Sequence, residues 1–219
     1  MSDDWYSKTT WSKADQADFF ARLKRSRAAH NKANYLWVQA RELDKVGLSH
    51  EAMMLLDKVL TEFPEPYWLP LVCKLKAEIF VKLGNLDQAI AFYRRALDVE
   101  RQHPNHRTQA VYDFGKLVVE NKMTSLYDEA LAVLDEMELP GKKFPVQIYK
   151  KNGILAIIAA HKRQTESARK FAQIALDAVA KDNSDFRYHP KFGLVQDQES
   201  KFCNAVEAIA ISHIQSFSN

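Results

Sequence analysis

The feature that most constrains this chain is a short pattern that returns four times. Each copy is a loop, then an alanine, then an apolar run at helical spacing. The copies read HEAMMLLDKVL (50–60), DQAIAFYRRAL (87–97), DEALAVLDEME (128–138) and ESARKFAQIAL (166–176), and their shared alanines are Ala52, Ala89, Ala130 and Ala168. A recurrence of this length marks a fold made by stacking one supersecondary unit, because a single copy cannot bury its own apolar face. Each copy is preceded by another helical stretch, at 37–46, 71–83, 110–121 and 148–161. Gly47 and Gly84 stand where a left-handed residue closes a helix. Pro64, Pro104 and Pro140 follow the second helices, where proline blocks continuation. The pattern therefore predicts four helical hairpins.

Composition agrees with an all-α chain. Hydrophobic residues make up 47% of the sequence, enough for a sizeable core. Six glycines and seven prolines are few turn formers for a protein of many short strands. Outside the hairpins, residues 1–12 carry Trp5, Tyr6 and Trp11 and read as an extended arm lying on the domain. Residues 13–29 read as a helix capped by Ser12, with Phe19, Phe20 and Leu23 on one side. A last helix is expected over 198–216, with Phe202, Val206, Ile209 and Ile214. Terminal helices of this kind hide the apolar edges of a stack.

Residues 70–104 form the most regular unit. Ala77 and Phe80 lead to the turn Leu83-Gly84-Asn85, followed by Ala89, Tyr93 and Ala96. This unit closely resembles the tetratricopeptide repeat, whose period is about 34 residues. The other copies are degenerate. The first keeps Ala40, Gly47, Ala52 and Pro64 but has Leu56 and Val59 where an aromatic and an alanine are usual. The third has Leu117 after Phe114-Gly115 and a longer loop, NKMTSLYDEA. The fourth keeps Leu155, Ala156, Ala168 and Ala175 without a glycine at its turn. The resemblance spans roughly residues 33–180. It implies an all-α, right-handed superhelix of about four tetratricopeptide-like hairpins, with a capping arm and helix at 1–32 and a loop and capping helix at 181–219.

Several function classes are not expected. Thirty-one basic against 28 acidic residues give a net charge of +3, too mild by itself to imply nucleic acid. The N-terminus MSDDWYSKTTWSK lacks the basic start and apolar stretch of a signal peptide. The longest apolar run, 154–160, is far short of the ~20 residues that span a bilayer. A cytoplasmic protein without membrane partners is therefore expected. Cys73 sits among apolar residues and reads as a buried thiol. Motifs for phosphate cradles, zinc proteases or paired metal-binding cysteines are missing, so neither catalysis nor a cofactor is expected. His103 and His106 are spaced to share a metal but have no third ligand nearby, and read as a solvated helix end.

The resemblance implies a binding face lined by the first helix of each hairpin. Projected onto this chain, that face holds Asn34, Trp37, Arg41 and Lys45, then Lys74, Glu78 and Lys82. The third and fourth hairpins add Gln109, Tyr112, Lys116 and Glu120, then Lys150 and His161. Six of these are Lys or Arg and two are acids, with Asp44 at the margin, so a partner protein or peptide that offers an acidic segment or a C-terminal carboxylate is expected. Trp37 and Tyr112 would be its apolar anchors. The segment FRYHPKFGLV (186–195) sets Arg187, Tyr188, His189 and Lys191 around Pro190. It reads either as a rigid recognition loop or as a structural seal anchored by Phe186, Phe192 and Leu194. Arg22, Lys24, Arg25, Arg27 and Lys32 form a basic cluster that reads as a solvated helix face or as a contact for an acidic partner or nucleic acid phosphate. The expected function is a non-catalytic binding module, acting as an adaptor, an inhibitor or an immunity protein. Two other classes remain open: a peptide-sensing regulator, and an enzyme using Tyr188, His189 and Glu199.

Overall fold

A computed structural model describes residues 5–138, 141–184, 186–196 and 200–212. Among these residues the regular structure is entirely helical. The chain divides into two compact units, Met1–Ala110 and Val111–Asn219.

In the first unit, α1 (Lys13–Arg25) is followed by α2 (Ala29–Lys45), α3 (Ser49–Glu62), α4 (Leu69–Lys82) and α5 (Leu86–Gln102). Helices α2 and α3 pack as one pair and α4 and α5 as the next, with α3 lying against α4. The pairing follows from sequence. Ala52 and Ala89 are fully buried, and residues that small let two helix backbones approach. The core of α1 to α4 is built from Phe19, Leu36, Leu43, Leu56, Val72 and Ile79 with their neighbours.

Ser12 caps α1 as expected, in a capping box with Asp15: the Asp15 N–H donates to the Ser12 hydroxyl at 3.2 Å, and the Ser12 N–H to the Asp15 carboxylate at 2.9 Å. Hydrogen bonds from Ser12 and Thr10 hold the Asp15 carboxyl down to about 2. The helix stops earlier than the spacing predicts. Ser26 is extended, and its N–H closes back onto the Leu23 carbonyl at 3.1 Å, so α2 begins at Ala29 on a new axis.

The arm lies on α1 and α2. Trp5 packs its ring 5.3 Å from Phe19 and 4.8 Å from Tyr35. Gln39, fully buried, fixes the arm by a reciprocal pair. The Lys8 N–H donates to Gln39 Oε1 at 3.0 Å, and Gln39 Nε2 donates to the Lys8 carbonyl at 2.7 Å. A side-chain amide thus satisfies both backbone groups of one arm residue.

In the second unit, α6 (Ala110–Glu120, its first residue belonging to the unit before) leads through a 3-10 turn (Thr124–Leu126) into α7 (Tyr127–Glu136). Helices α8 (Pro145–His161) and α9 (Thr165–Val179) form the tightest pair, and α10 (Lys201–Ile211) packs on both. The expected positions of Pro140, Gln198, Glu199 and Ile214 lie outside the described residues. Ala130 and Ala168 are buried like their counterparts in the first unit.

One turn ends α2, α4, α6 and α8 alike. Leu48 N–H donates to the Leu43 carbonyl, Asn85 to Phe80, Met123 to Val118 and Gln164 to Ala159, all within 2.9–3.0 Å. This is the Schellman closure, which requires a left-handed residue just before the donor. Gly47 and Gly84 fill it with φ of 85° and 74°. In the degenerate copies Lys122 and Arg163 adopt it instead, with φ of 51° and 59°. The repeat is thus kept in backbone geometry where the glycine is lost.

Candidate functional site

The residues expected to bind a partner belong to α2, α4 and the segment before α6 in the first unit, and to α6 and α8 in the second. In the first unit their cations are engaged locally. Arg41 and Lys45 both contact Glu42, at 3.1 and 2.8 Å. Lys74 pairs with Glu78, and Lys82 pairs with the buried Asp44, which also accepts from the Ser49 hydroxyl at 2.9 Å. Asn34 and Gln109 are half-buried. Trp37 is half-buried as well: its ring lies 5.7 Å from Trp68, and the Arg41 guanidinium sits 5.0 Å over it. Trp68 in turn donates its indole N–H to His30 Nδ1 at 3.2 Å. His103 and His106 stack with centroids 5.8 Å apart.

The second unit shows the same local compensation. Lys150 reaches Asp113 at 2.6 Å, and Lys116 lies 3.8 Å from Glu120. Each of the six expected cations therefore has a carboxylate neighbour. The sequence count set two acids against them, but folding also brings Glu42, Asp44 and Asp113 to these cations. The face is less basic than its own residue list suggests.

Tyr112 does not stand out as an anchor. It is buried on α6 and edges a cleft of about 220 Å³ beside Glu138, Gln147 and Lys151. Burial pushes its phenol above the ordinary value. A hydrogen bond from Lys151 holds Glu138 below the usual carboxylate range.

A cleft of about 420 Å³ is lined by α6, α8, α10 and the start of α7. Two residues of the expected face, Glu120 and His161, line it. The His161 ring meets Tyr127 edge to face at 5.1 Å. Burial raises the Tyr127 phenol. Half-buried Ile157 and Ala205 supply apolar wall above the buried Val119 and Phe202, and Lys122 and Lys201 also line it. Phe202 is held from three sides: the Tyr149 ring at 5.3 Å, the Lys116 ammonium 5.4 Å over its face, and Gly153 beneath it.

Lys122, Tyr127, Lys201 and Phe202 were missed by sequence reasoning. Lys122 carries a signal in retrospect, since it occupies the turn position held by Gly47 and Gly84. Lys201 carries none, whereas Phe202 was read from the sequence only as part of the apolar side of a capping helix.

The 186–195 segment is anchored and exposed at once. Phe186 stacks on Phe144 at 4.2 Å, and Phe192 meets the same ring edge-on at 5.2 Å. The Val146 N–H donates to the Gly193 carbonyl at 2.9 Å. Buried Ser184 donates its hydroxyl to the His189 carbonyl at 3.0 Å and its N–H to the Pro190 carbonyl at 2.7 Å. Val195 is buried, and Leu194 half-buried. Tyr188, with Arg187 over its ring at 5.5 Å, remains 79% exposed, and His189 is exposed beside it.

A smaller cleft in the first unit, about 250 Å³, runs between α1 and α3 past Phe20, Met54 and Lys58. Both cysteines are buried thiols, and desolvation pushes Cys73 up to about 11, as expected of an inert core residue. No helix among the described residues is long and apolar enough to cross a membrane. The chain matches no protein-family model, and no curated protein or solved structure is significantly similar to it.

Proposed function

We infer that this chain is a tetratricopeptide-like repeat module that binds another protein or peptide and performs no catalysis. The observation that carries this reading is the open cleft of the second unit, which gathers Glu120 and His161 of the expected face around apolar walls and two added lysines. Helix pairs joined by short closed turns support it, since stacked pairs present their first helices as a continuous surface. A rigid surface of this kind loses little entropy on docking. The partner class favoured is a protein or peptide with an acidic segment, because Lys122 and Lys201 add to the cations on the first helices. An adaptor, or a stand-alone inhibitor of the immunity-protein type, needs only such a surface.

The test is affinity capture from the native source with the wild-type chain and with a His161→Ala/Lys201→Glu double variant, after equal thermal melting is verified. A partner retained by the wild type and lost by the variant is expected. Identical partner sets for both chains would defeat the reading.

A further inference from the structure

We propose that the cleft between α6, α8 and α10 binds an amphipathic carboxylate: a compact apolar or aromatic body bearing one anionic group. This deepens the reading above, on which it rests for the choice of face, by naming the chemistry the site accepts.

Size is the first argument. A volume of about 420 Å³ falls within the range of small-molecule sites, roughly 300–1,000 Å³, and suits an aromatic ring with a short side arm. The walls argue for the apolar body. Ile157 offers branched surface above a buried Val119, and Ala205 is too small to fill the space beside it. Phe202 lies fully buried beneath them, and Tyr149, Gly153 and Lys116 fix it as a rigid floor. A ring entering the cleft meets a preorganised surface and need not order one.

Charge selects the anion. Lys122 arrives from the turn after α6 and Lys201 from the first turn of α10, so two cations approach the cleft from different elements. The imidazole of His161 adds a third nitrogen group at the end of α8. The carboxylate in the lining, Glu120, stands 3.8 Å from Lys116. A carboxylate placed among Lys122, Lys201 and His161 gains charge-assisted hydrogen bonds, whereas an ammonium there meets like charge. Thr124 also lines the cleft.

Two sources carry this chemistry, a free organic acid and the end of a polypeptide that finishes in a bulky apolar residue. The experiment separates them. Full-length protein is titrated by protein-observed NMR with 3-phenylpropionate, with the neutral 3-phenylpropionamide, and with the tripeptide Gly-Gly-Phe carrying a free or an amidated C-terminus. The expected result is a Kd near ~1 mM or tighter for the acids. The amides should bind about ten-fold more weakly. Shifts should be centred on Ile157, Phe202 and Ala205. Lys201→Gln should weaken the acid several-fold and leave the amide unchanged, and Ala205→Trp should abolish both by filling the cleft.

Preference for the free acid assigns the site to small molecules, and preference for the tripeptide assigns it to chain ends; either supports the proposal. Equal affinity for acid and amide, or the absence of binding by every probe, overturns it. If Ala205→Trp shifts the melting temperature, Lys201→Glu carries the same test through charge alone. Capture of a partner through His161 without any acid binding would defeat this inference and leave the binding-module reading intact. Acid binding without a captured partner would do the opposite.

Discussion

Phe202 occupies the space that a side chain on Gly153 would need. A Cβ at position 153 would lie 2.5 Å from Phe202 Cζ and 2.7 Å from Cε1. That glycine is kept mid-helix despite its entropic cost because it lets α10 seat its largest buried ring directly on the α8 backbone. The same ring lies buried beneath the proposed binding cleft.

Gly153→Ala is therefore expected to destabilise the protein by about 1–3 kcal/mol, as an overpacked contact does. Phe202→Leu in the same chain should recover part of that loss. A thermal or urea double-mutant cycle measures the coupling. A stabilising Gly153→Ala, as helix propensity alone would give, would contradict the observed contact.

Arg163 and Lys122 sit in left-handed backbone that L-residues enter at a cost. Arg163→Gly and Lys122→Gly should each stabilise by roughly 0.5–1 kcal/mol, because removal of the Cβ penalty outweighs the added freedom of the unfolded chain. Arg163→Ala should not. Urea denaturation midpoints of the three variants distinguish the two outcomes.

Gln39 ties the N-terminal arm to α2. Replacement by Met keeps the volume but removes both hydrogen bonds to the Lys8 backbone and leaves those backbone groups short of partners. The expected cost is about 1–3 kcal/mol. Proteolysis should then cut first within residues 7–10, and the fluorescence of Trp5 and Trp11 should shift to the red. An arm that stays protected would mean that its aromatic contacts suffice.

Glu100 is buried beneath Thr108, whose N–H and hydroxyl donate to it at 3.0 and 2.6 Å. Burial raises its carboxyl above the ordinary 4.5, and the hydrogen bonds from Thr108 only partly oppose this. The folded state thus holds the proton more tightly than the unfolded one. Stability from this group is present below about 4.5 and is lost as pH rises through the folded value. Glu100→Gln removes that component. The stability difference, wild type minus variant, should fall from about pH 4 to about pH 7 when followed by urea unfolding. A flat difference would contradict the burial argument.

The helix pairs were legible because each one states its partner locally. Ala52, Ala89, Ala130 and Ala168 recur with apolar residues at helical spacing, and all four are buried where pairs meet. Ser12 and Gly84 likewise act through neighbours a few residues away. The expected binding face was legible only as a residue list. Glu120 and His161 came together at a cleft, whereas Tyr112 turned inward and Lys82 and Lys150 found acids far along the chain.

The sequence by itself determined the helices, their pairing and the glycine turns that close α2 and α4, because those depend on side-chain period and on backbone preferences within one turn. Tertiary structure alone decided the ion pairs between distant helices and where the arm docks. Lys82 meets Asp44 across 38 positions, Lys150 meets Asp113 across 37, and Lys8 meets Gln39 across 31. Such contacts follow from how packed helices set distant segments side by side, and no local period encodes them.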